Sequence, residues 1–213
     1  MKKLFTISFV LVLSLMVGSS ELKAQQLDMD LLKGMEPRNV GPAGMSGRIT
    51  AIDVVESNND IMYVGSASGG VWKSESGGIK WEPIFDDYGA ASIGAIDIHQ
   101  KNPSIIWVGT GEGNPRNSQS SGAGIYKSID GGRSFELMGL EGTRNIHRVI
   151  IHPENPDVVY VGAQGSAWGD SEDRGVFKTT DGGKTWEKIL YINTRTGIGD
   201  MVMDPNNPNK IFA

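Results

Sequence analysis

From Gly47 onward one pattern of short apolar runs recurs, and self-similarity on this scale limits the fold before any other property is weighed. The first run of the pattern is Ile49-Thr50-Ala51-Ile52-Asp53-Val54, then Ile93-Gly94-Ala95-Ile96-Asp97-Ile98, then Ile146-His147-Arg148-Val149-Ile150-Ile151. A polar turn follows, twice carrying Asn-Pro, at Asn102-Pro103 and Asn155-Pro156. The second run is Met62-Tyr63-Val64-Gly65, Ile106-Trp107-Val108-Gly109 and Val159-Tyr160-Val161-Gly162. The third is Val71 to Ser74, Ile125 to Ser128 and Val176 to Thr179, and the fourth starts at Trp81, Phe135 and Trp186. A fourth copy opens with Ile198 to Met203, the turn Asn207-Pro208 and Ile211-Phe212-Ala213.

β-Branched and aromatic residues fill these runs, and no segment after the N-terminus holds a helical period. The 29 glycines among 213 residues, nearly twice the usual share, supply the turns between them. Four-stranded units in series cannot bury their faces singly, whereas stacked units can. Near-continuous apolar runs, in place of strict alternation, fit sheets covered on both faces. The predicted fold class is therefore all-β, a partial β-propeller with three four-stranded blades plus the start of a fourth. The expected division is a lead-in segment at 25–46, blade 1 at 47–91, blade 2 at 92–144, blade 3 at 145–196 and an incomplete blade 4 at 197–213. Propellers close with about four to eight blades, so the remainder of the propeller is expected C-terminal to Ala213.

Residues 1–24 read as a signal peptide. Lys2 and Lys3 precede an apolar run from Leu4 to Val17, and Gly18, Ser19 and Ser20 lead to a cleavage point after Ala24. The run is shorter than the roughly 20 residues that a membrane span needs, so no span is expected in the mature chain. The expected location is exported: periplasmic, cell-surface or secreted. Loss of Lys2, Lys3, Lys23 and Glu21 with this segment moves the formal charge from −5 to −7. An acidic exported domain argues against a nucleic-acid partner. The absence of cysteine excludes disulfides, thiolate metal sites and cysteine nucleophiles.

Between third and fourth strands lie Ser128-Ile129-Asp130-Gly131-Gly132-Arg133-Ser134-Phe135 and Thr179-Thr180-Asp181-Gly182-Gly183-Lys184-Thr185-Trp186. Asp-Gly-Gly is suited to a tight hairpin, with the carboxylate accepting backbone N–H groups and glycine taking positive φ. Both segments resemble the Asp-box of sialidases, xyloglucan-processing glycoside hydrolases and sortilin-family receptors. The resemblance implies a structural role for Ser128, Asp130, Gly132, Phe135, Thr179, Asp181, Gly183 and Trp186. Blade 1 holds a degenerate copy, Ser74 to Trp81, with Ser76 at the aspartate position. Beyond the box, the chain resembles bacterial sortilin-type (vacuolar protein sorting receptor-like) propellers. The segments that carry this are Arg38-Asn39-Val40-Gly41-Pro42, Ser46-Gly47-Arg48-Ile49, Gly69 to Ser74 and Gly109-Thr110-Gly111-Glu112-Gly113-Asn114. That likeness implies an exported, non-catalytic propeller whose partner is a peptide, protein or glycan.

Loops joining the second and third strands share one face with the connections into each next blade. That loop is short in blade 1 (Gly65 to Val71) and much longer in blade 2 (Gly109 to Ile125) and blade 3 (Gly162 to Val176). Function concentrates on such loops. The ligand-binding candidates are Arg48, Glu112, Asn114, Arg116, Trp168, Arg148 and Asp200. Trp168 among polar neighbours suits sugar stacking or a protein contact. Arg148 and Asp200 occupy the position held by Ala51 and Ala95, where they can line the channel or pair between blades. A glycosidase needs two carboxylates about 5–10 Å apart, and Glu112 with Asp170 or Asp173 are the candidates. Xyloglucan-processing enzymes carry an aspartate in a Thr-Asp-x-Gly-Gly segment. Here the matching stretch is Ser66-Ala67-Ser68-Gly69-Gly70, with Ala67 at that position. Three readings stay open: a binding propeller, a glycoside hydrolase, and a fragment without independent function. No cofactor is expected and no metal site. His99 and His152 share a polar-turn slot, Asp170-Ser171-Glu172-Asp173 lacks calcium-loop spacing, and no helix follows Gly109-x-Gly111-x-Gly113 to receive phosphate.

Overall fold

A computed structural model describes residues 47–114 and 118–213. The expected signal peptide and lead-in segment, and the candidate Arg116, lie outside the described residues. The strands are β1 (Ile49–Val54), β2 (Met62–Ser66), β3 (Val71–Ser74), β4 (Glu82–Pro83), β5 (Ile93–Ile98), β6 (Ile106–Thr110) and β7 (Ile125–Ser128). They continue as β8 (Glu136–Leu137), β9 (Ile146–Ile151), β10 (Val159–Ala163), β11 (Gly175–Thr179), β12 (Glu187–Leu190), β13 (Val202–Asp204) and β14 (Asn207–Phe212). A 3₁₀ turn, Glu141–Thr143, leads into β9.

Each sheet follows chain order: β1-β2-β3-β4, β5-β6-β7-β8 and β9-β10-β11-β12 are four-stranded antiparallel meanders, and β13 pairs with β14. β1 packs beside β5 and β5 beside β9, so the first strand of each blade lies innermost. The first and third apolar runs become strands almost residue for residue. The fourth strand starts one residue late, at Glu82, Glu136 and Glu187: Phe135 and Trp186 turn in as packing side chains, and Trp81 donates its indole N–H to Gly78 O at 2.9 Å. The expected turn at Asn207-Pro208 is displaced. Asp204 pairs directly with Asn207 across a register shift, so the reversal falls at Pro205-Asn206.

Stacking explains the apolar runs. Every residue of β6 and β10 is buried. Ile93 and Ile96 of β5 are 0% and 8% exposed, whereas their counterparts Ile49 and Ile52 in β1 are 57% and 64% exposed, since nothing described covers that face. Burial of one such side chain is worth about 1.5–3 kcal/mol. The glycine in each second strand marks where the next blade arrives. A Cβ at Gly65, Gly109 or Gly162 would stand 2.4, 2.4 or 2.8 Å from Cγ2 of Ile93, Ile146 or Ile198. A methyl group there would wedge two blades apart.

Two inner-strand aspartates tie the blades at their core. Asp53 accepts the N–H of Ile98 at 2.7 Å, and Asp97, one blade on, accepts that of Ile151 at 2.5 Å. The last N–H of β5 and of β9 is thus satisfied by a carboxylate from the preceding blade. Burial raises both carboxyl groups, and Asp97 is pushed up to about 8 with the nearby Asp53 charge adding to the effect.

Candidate functional site

The face that carries the second-to-third-strand loops is built by backbone pairing between each loop and its own blade's entry. Ala67 donates to Arg48 O at 2.9 Å, Gly111 to Ser92 O at 2.7 Å and Gln164 to Asn145 O at 2.8 Å. These bonds extend each inner hairpin upward and fix where the long loops begin.

In blade 2 the loop turns its carboxylate inward. The Glu112 side chain is 1% exposed and takes Arg48, 38% exposed, as its ion-pair partner. Arg48 donates through Nε at 3.1 Å to Oε1 and through Nη2 to both oxygens. The Glu112 N–H donates to Ser92 Oγ at 3.0 Å, and its carbonyl accepts from Asn145 Nδ2 at 2.7 Å and from Gln119 Nε2. One residue therefore joins blade 1, blade 2 and blade 3. With both oxygens held by a guanidinium and its side chain 1% exposed, Glu112 is placed to lock blades together and not to pass a proton.

In blade 3 an arginine organises the loop. Arg174 is buried, and its guanidinium donates to four carbonyls: Thr194 O at 2.7 Å, Ser166 O at 2.6 Å, Gly169 O at 2.9 Å, and Gln164 O. Ser171 N–H adds a bond to Thr194 O at 2.9 Å. The loop so held presents Trp168, 70% exposed. Beside it, Asp170 pairs with Arg195 at 3.0 Å, and Tyr191 donates its hydroxyl to Glu172 at 2.8 Å.

The sequence-derived candidates thus separate. Arg48 and Glu112 come together, buried. Trp168 and Asp170 share an exposed loop, with Asp173 near Gly142 on the adjoining turn. Among the described residues no hydrogen bond or ion pair joins Glu112 to Asp170 or Asp173. Asn114 is exposed. Arg148 donates to Asp200 at 2.6 Å, an inter-blade pair that lowers the Asp200 carboxyl. Ala67 is buried, its methyl group occupying the place of the aspartate sought there.

The aspartates of the two Gly-Gly hairpins sit at the opposite, outer side of their sheets. Asp130 accepts from Ser128 Oγ, Arg133 N, Ser134 N and Ser134 Oγ at 2.7–3.0 Å. Asp181 does the same with Thr179 Oγ1, Thr185 N and Thr185 Oγ1. Sequence reasoning missed Arg174, whose role shows only once the loop closes around it. It also missed Asp53 and Asp97, although their shared repeat position was a usable signal. No group of three or more His, Cys, Asp or Glu side chains among the described residues is arranged to hold a metal ion.

Comparison with known proteins bears on the fold. An ancestral GH74 enzyme superposes with a TM-score of 0.61 at 21% identity, over 78% of this chain and 21% of its own. The fold is a β-propeller. The GH74 enzyme of Niastella koreensis gives 0.59 at 25% identity over 76% of this chain and 24% of its own. A third structure, YCF48 bound to D1 peptide, gives 0.52 at 11% identity over 77% and 47%. This chain spans about a fifth to a quarter of the length of the two GH74 enzymes. Neither the family models nor the curated proteins contain a match. No described helix is long and apolar enough to cross a membrane.

Proposed function

We propose that this chain forms the opening blades of an exported, non-catalytic binding propeller of sortilin type, which recognises a peptide, protein or glycan through the long-loop face. The observation that carries the reading is Trp168, held 70% exposed on a loop pinned by the four carbonyl contacts of Arg174. A loop backbone fixed in this way loses little freedom on binding, and its exposed indole offers a flat apolar surface to a sugar ring or an apolar side chain. YCF48, of the same fold, is a precedent for a propeller that carries a bound peptide.

The GH74 likeness favours a second reading, a glycoside hydrolase. It is the weaker, because Glu112 is consumed by Arg48 and Ala67 offers no carboxylate. The full-length protein, screened by indole fluorescence against peptide and oligosaccharide libraries, is expected to bind a ligand and to lose that binding about tenfold or more in Trp168→Ala with an unchanged melting temperature. Steady release of reducing ends from a polysaccharide panel would overturn the non-catalytic reading. Export is tested by sequencing the N-terminus of the mature protein, expected to begin at Gln25.

A further inference from the structure

His147, the second residue of β9, sits where the blade 2 loop meets blade 3. A Cβ at Gly113 would stand 2.6 Å from the His147 Cβ and closer still to its Cγ and Nδ1. The loop backbone is therefore pressed against the Nδ1 side of the imidazole, and only glycine fits there. The ring as a whole is half-buried, but Nδ1 itself is buried, with no hydrogen-bond partner among the described residues. Neighbouring bonds hold the two parts together. Asn145 Nδ2 donates to Glu112 O at 2.7 Å and to Ser120 O at 3.4 Å, and the Gly122 N–H donates to Arg144 O at 2.6 Å.

Few charges face this ring. Arg148 follows it on β9, and Asp200, from the segment before β13, pairs with Arg148 at 2.6 Å. On the blade 2 loop the ionisable side chain among the described residues is Glu112, whose oxygens Arg48 holds. On the partner strand β10, Gly162 and Ala163 stand opposite Arg148 and Ile146 and carry no charge. β5, packed beside β9, brings Asp97 only at the far end, against Ile151. Burial, and after it the Arg148 charge, hold the imidazole below its ordinary value, while Asp200 acts against them. The docked ring is the neutral one. A neutral imidazole can carry its proton on Nε2 and turn a bare nitrogen toward Gly113. The cation must carry N–H at both nitrogens, and the one at Nδ1 would be enclosed against the Gly113 backbone with no acceptor.

We propose that the blade 2 loop docks on the neutral form of His147, so that protonation of this one imidazole releases Gly113 from blade 3. Once the contact opens, the ring regains its ordinary value of about 6.5. The open form then binds the proton more readily than the docked one. Docking is thus at full strength above that value and weakens as pH falls below it, the open population rising by up to about tenfold per pH unit. The sign is opposite to that of Asp97, whose contribution grows in acid. The switch belongs to the loop itself; that acid also loosens a ligand held on this face rests on the reading of the face as a binding surface.

Hydrogen exchange of the full-length protein from pH 8 to pH 5, referred at each pH to the unstructured chain, tests the switch without a ligand. Mass spectrometry of short peptides reads Gly122, which bonds blade 3, and Val108 of β6 as the reference. Gly122 is expected to keep its protection down to about pH 6.5 and to lose up to about tenfold per unit below it, with Val108 unchanged. Parallel loss at Val108 would mean that the whole blade opens and would overturn the proposal, as would protection at Gly122 that ignores pH. His147→Phe keeps a flat ring that takes no proton, and its Gly122 protection is expected to be equal at pH 8 and pH 5. A wild-type pH response in that variant would remove His147 from the switch. Gly113→Ala is expected to leave Gly122 unprotected already at pH 8 with Val108 intact, and full protection there would refute the close approach.

Discussion

The carboxylates between the blades and those on the outer hairpins are the same chemical group in opposite circumstances. Asp97 and Glu112 lie between blades, Glu112 fully buried against Arg48 and Asp97 half-buried beside the Ile151 N–H. Asp130 and Asp181 stand in solvent inside their own turns, each surrounded by hydroxyl and backbone donors. Burial dominates in the first place and pushes Asp97 up to about 8. Hydrogen bonds dominate in the second: the Ser134 and Thr185 hydroxyls, followed by the backbone N–H groups, hold Asp130 and Asp181 below the usual carboxylate range. The inner group joins blades, while the outer group closes a local turn. Their responses to mutation and to pH should therefore differ in size and in sign.

The largest effect is expected at the Arg48–Glu112 pair, and it should be lopsided. Arg48→Met leaves a carboxylate enclosed with no counter-charge, which costs on the order of 3–5 kcal/mol. Glu112→Gln leaves a guanidinium that is already 38% exposed and can turn to solvent, so its cost is smaller, about 1–2 kcal/mol. Denaturant unfolding of the two variants measures the difference. Equal costs would show that Glu112 is not enclosed as described.

The pH response separates the two groups more finely. A group raised in the fold binds its proton there at pH values where the unfolded chain has lost it. The contribution of Asp97 is thus fully present below about 3.9 and is lost as pH rises toward about 8. Its slope approaches about 1.4 kcal/mol per pH unit between those values. For Asp130 and Asp181 the sign reverses: their contribution is present above the unfolded value and is lost as pH falls below it. Asp97→Asn should flatten the loss of stability between pH 5 and pH 8 and leave the acid limb in place, and Asp181→Asn should do the opposite. Melting curves across this range decide the matter, and a flat wild-type profile between pH 5 and pH 8 would remove Asp97 from the account.

The division between inner and outer carboxylates also marks what the sequence made legible. The hairpin aspartates stand in a local motif, where spacing alone brings Asp130 to the N–H groups of Arg133 and Ser134, so chemistry and position could be read together. The blade strands were legible for the same reason, since each apolar run and its turn lie within one short stretch of chain. Glu112 was visible as a loop residue, but its partner Arg48 lies 64 positions away, and only stacking decides whether such a side chain turns outward or inward. Arg174 was silent because its four acceptors are backbone carbonyls, which carry no sequence signature. The displaced turn at β13–β14 shows the reverse case. A local signal, Asn207-Pro208, falls within β14, and the reversal lies at Pro205-Asn206.

The smallest expected effect lies in the one hairpin that departs from its siblings. In blade 1 the aspartate position holds Ser76, whose Oγ accepts the Lys80 N–H at 2.8 Å and weakly reaches Lys80 O at 3.5 Å. The surrounding frame is kept: Ser74 Oγ accepts the Gly78 N–H at 2.9 Å, as Ser128 Oγ and Thr179 Oγ1 accept those of Gly132 and Gly183 at 2.9 Å. Ser76→Asp would place a carboxylate where two sibling hairpins already hold one, with Ser74 Oγ and the Lys80 N–H positioned to donate. Lys80 is itself paired with Glu82 at 2.7 Å, and the added charge beside that lysine is compatible with the pair. The turn is exposed, so the gain is modest, a rise of about 1–2 °C in melting temperature. The rise should vanish below pH 4, as the new carboxylate becomes protonated. A variant equally stabilised at pH 3 would show that the gain comes from turn propensity and not from the charge.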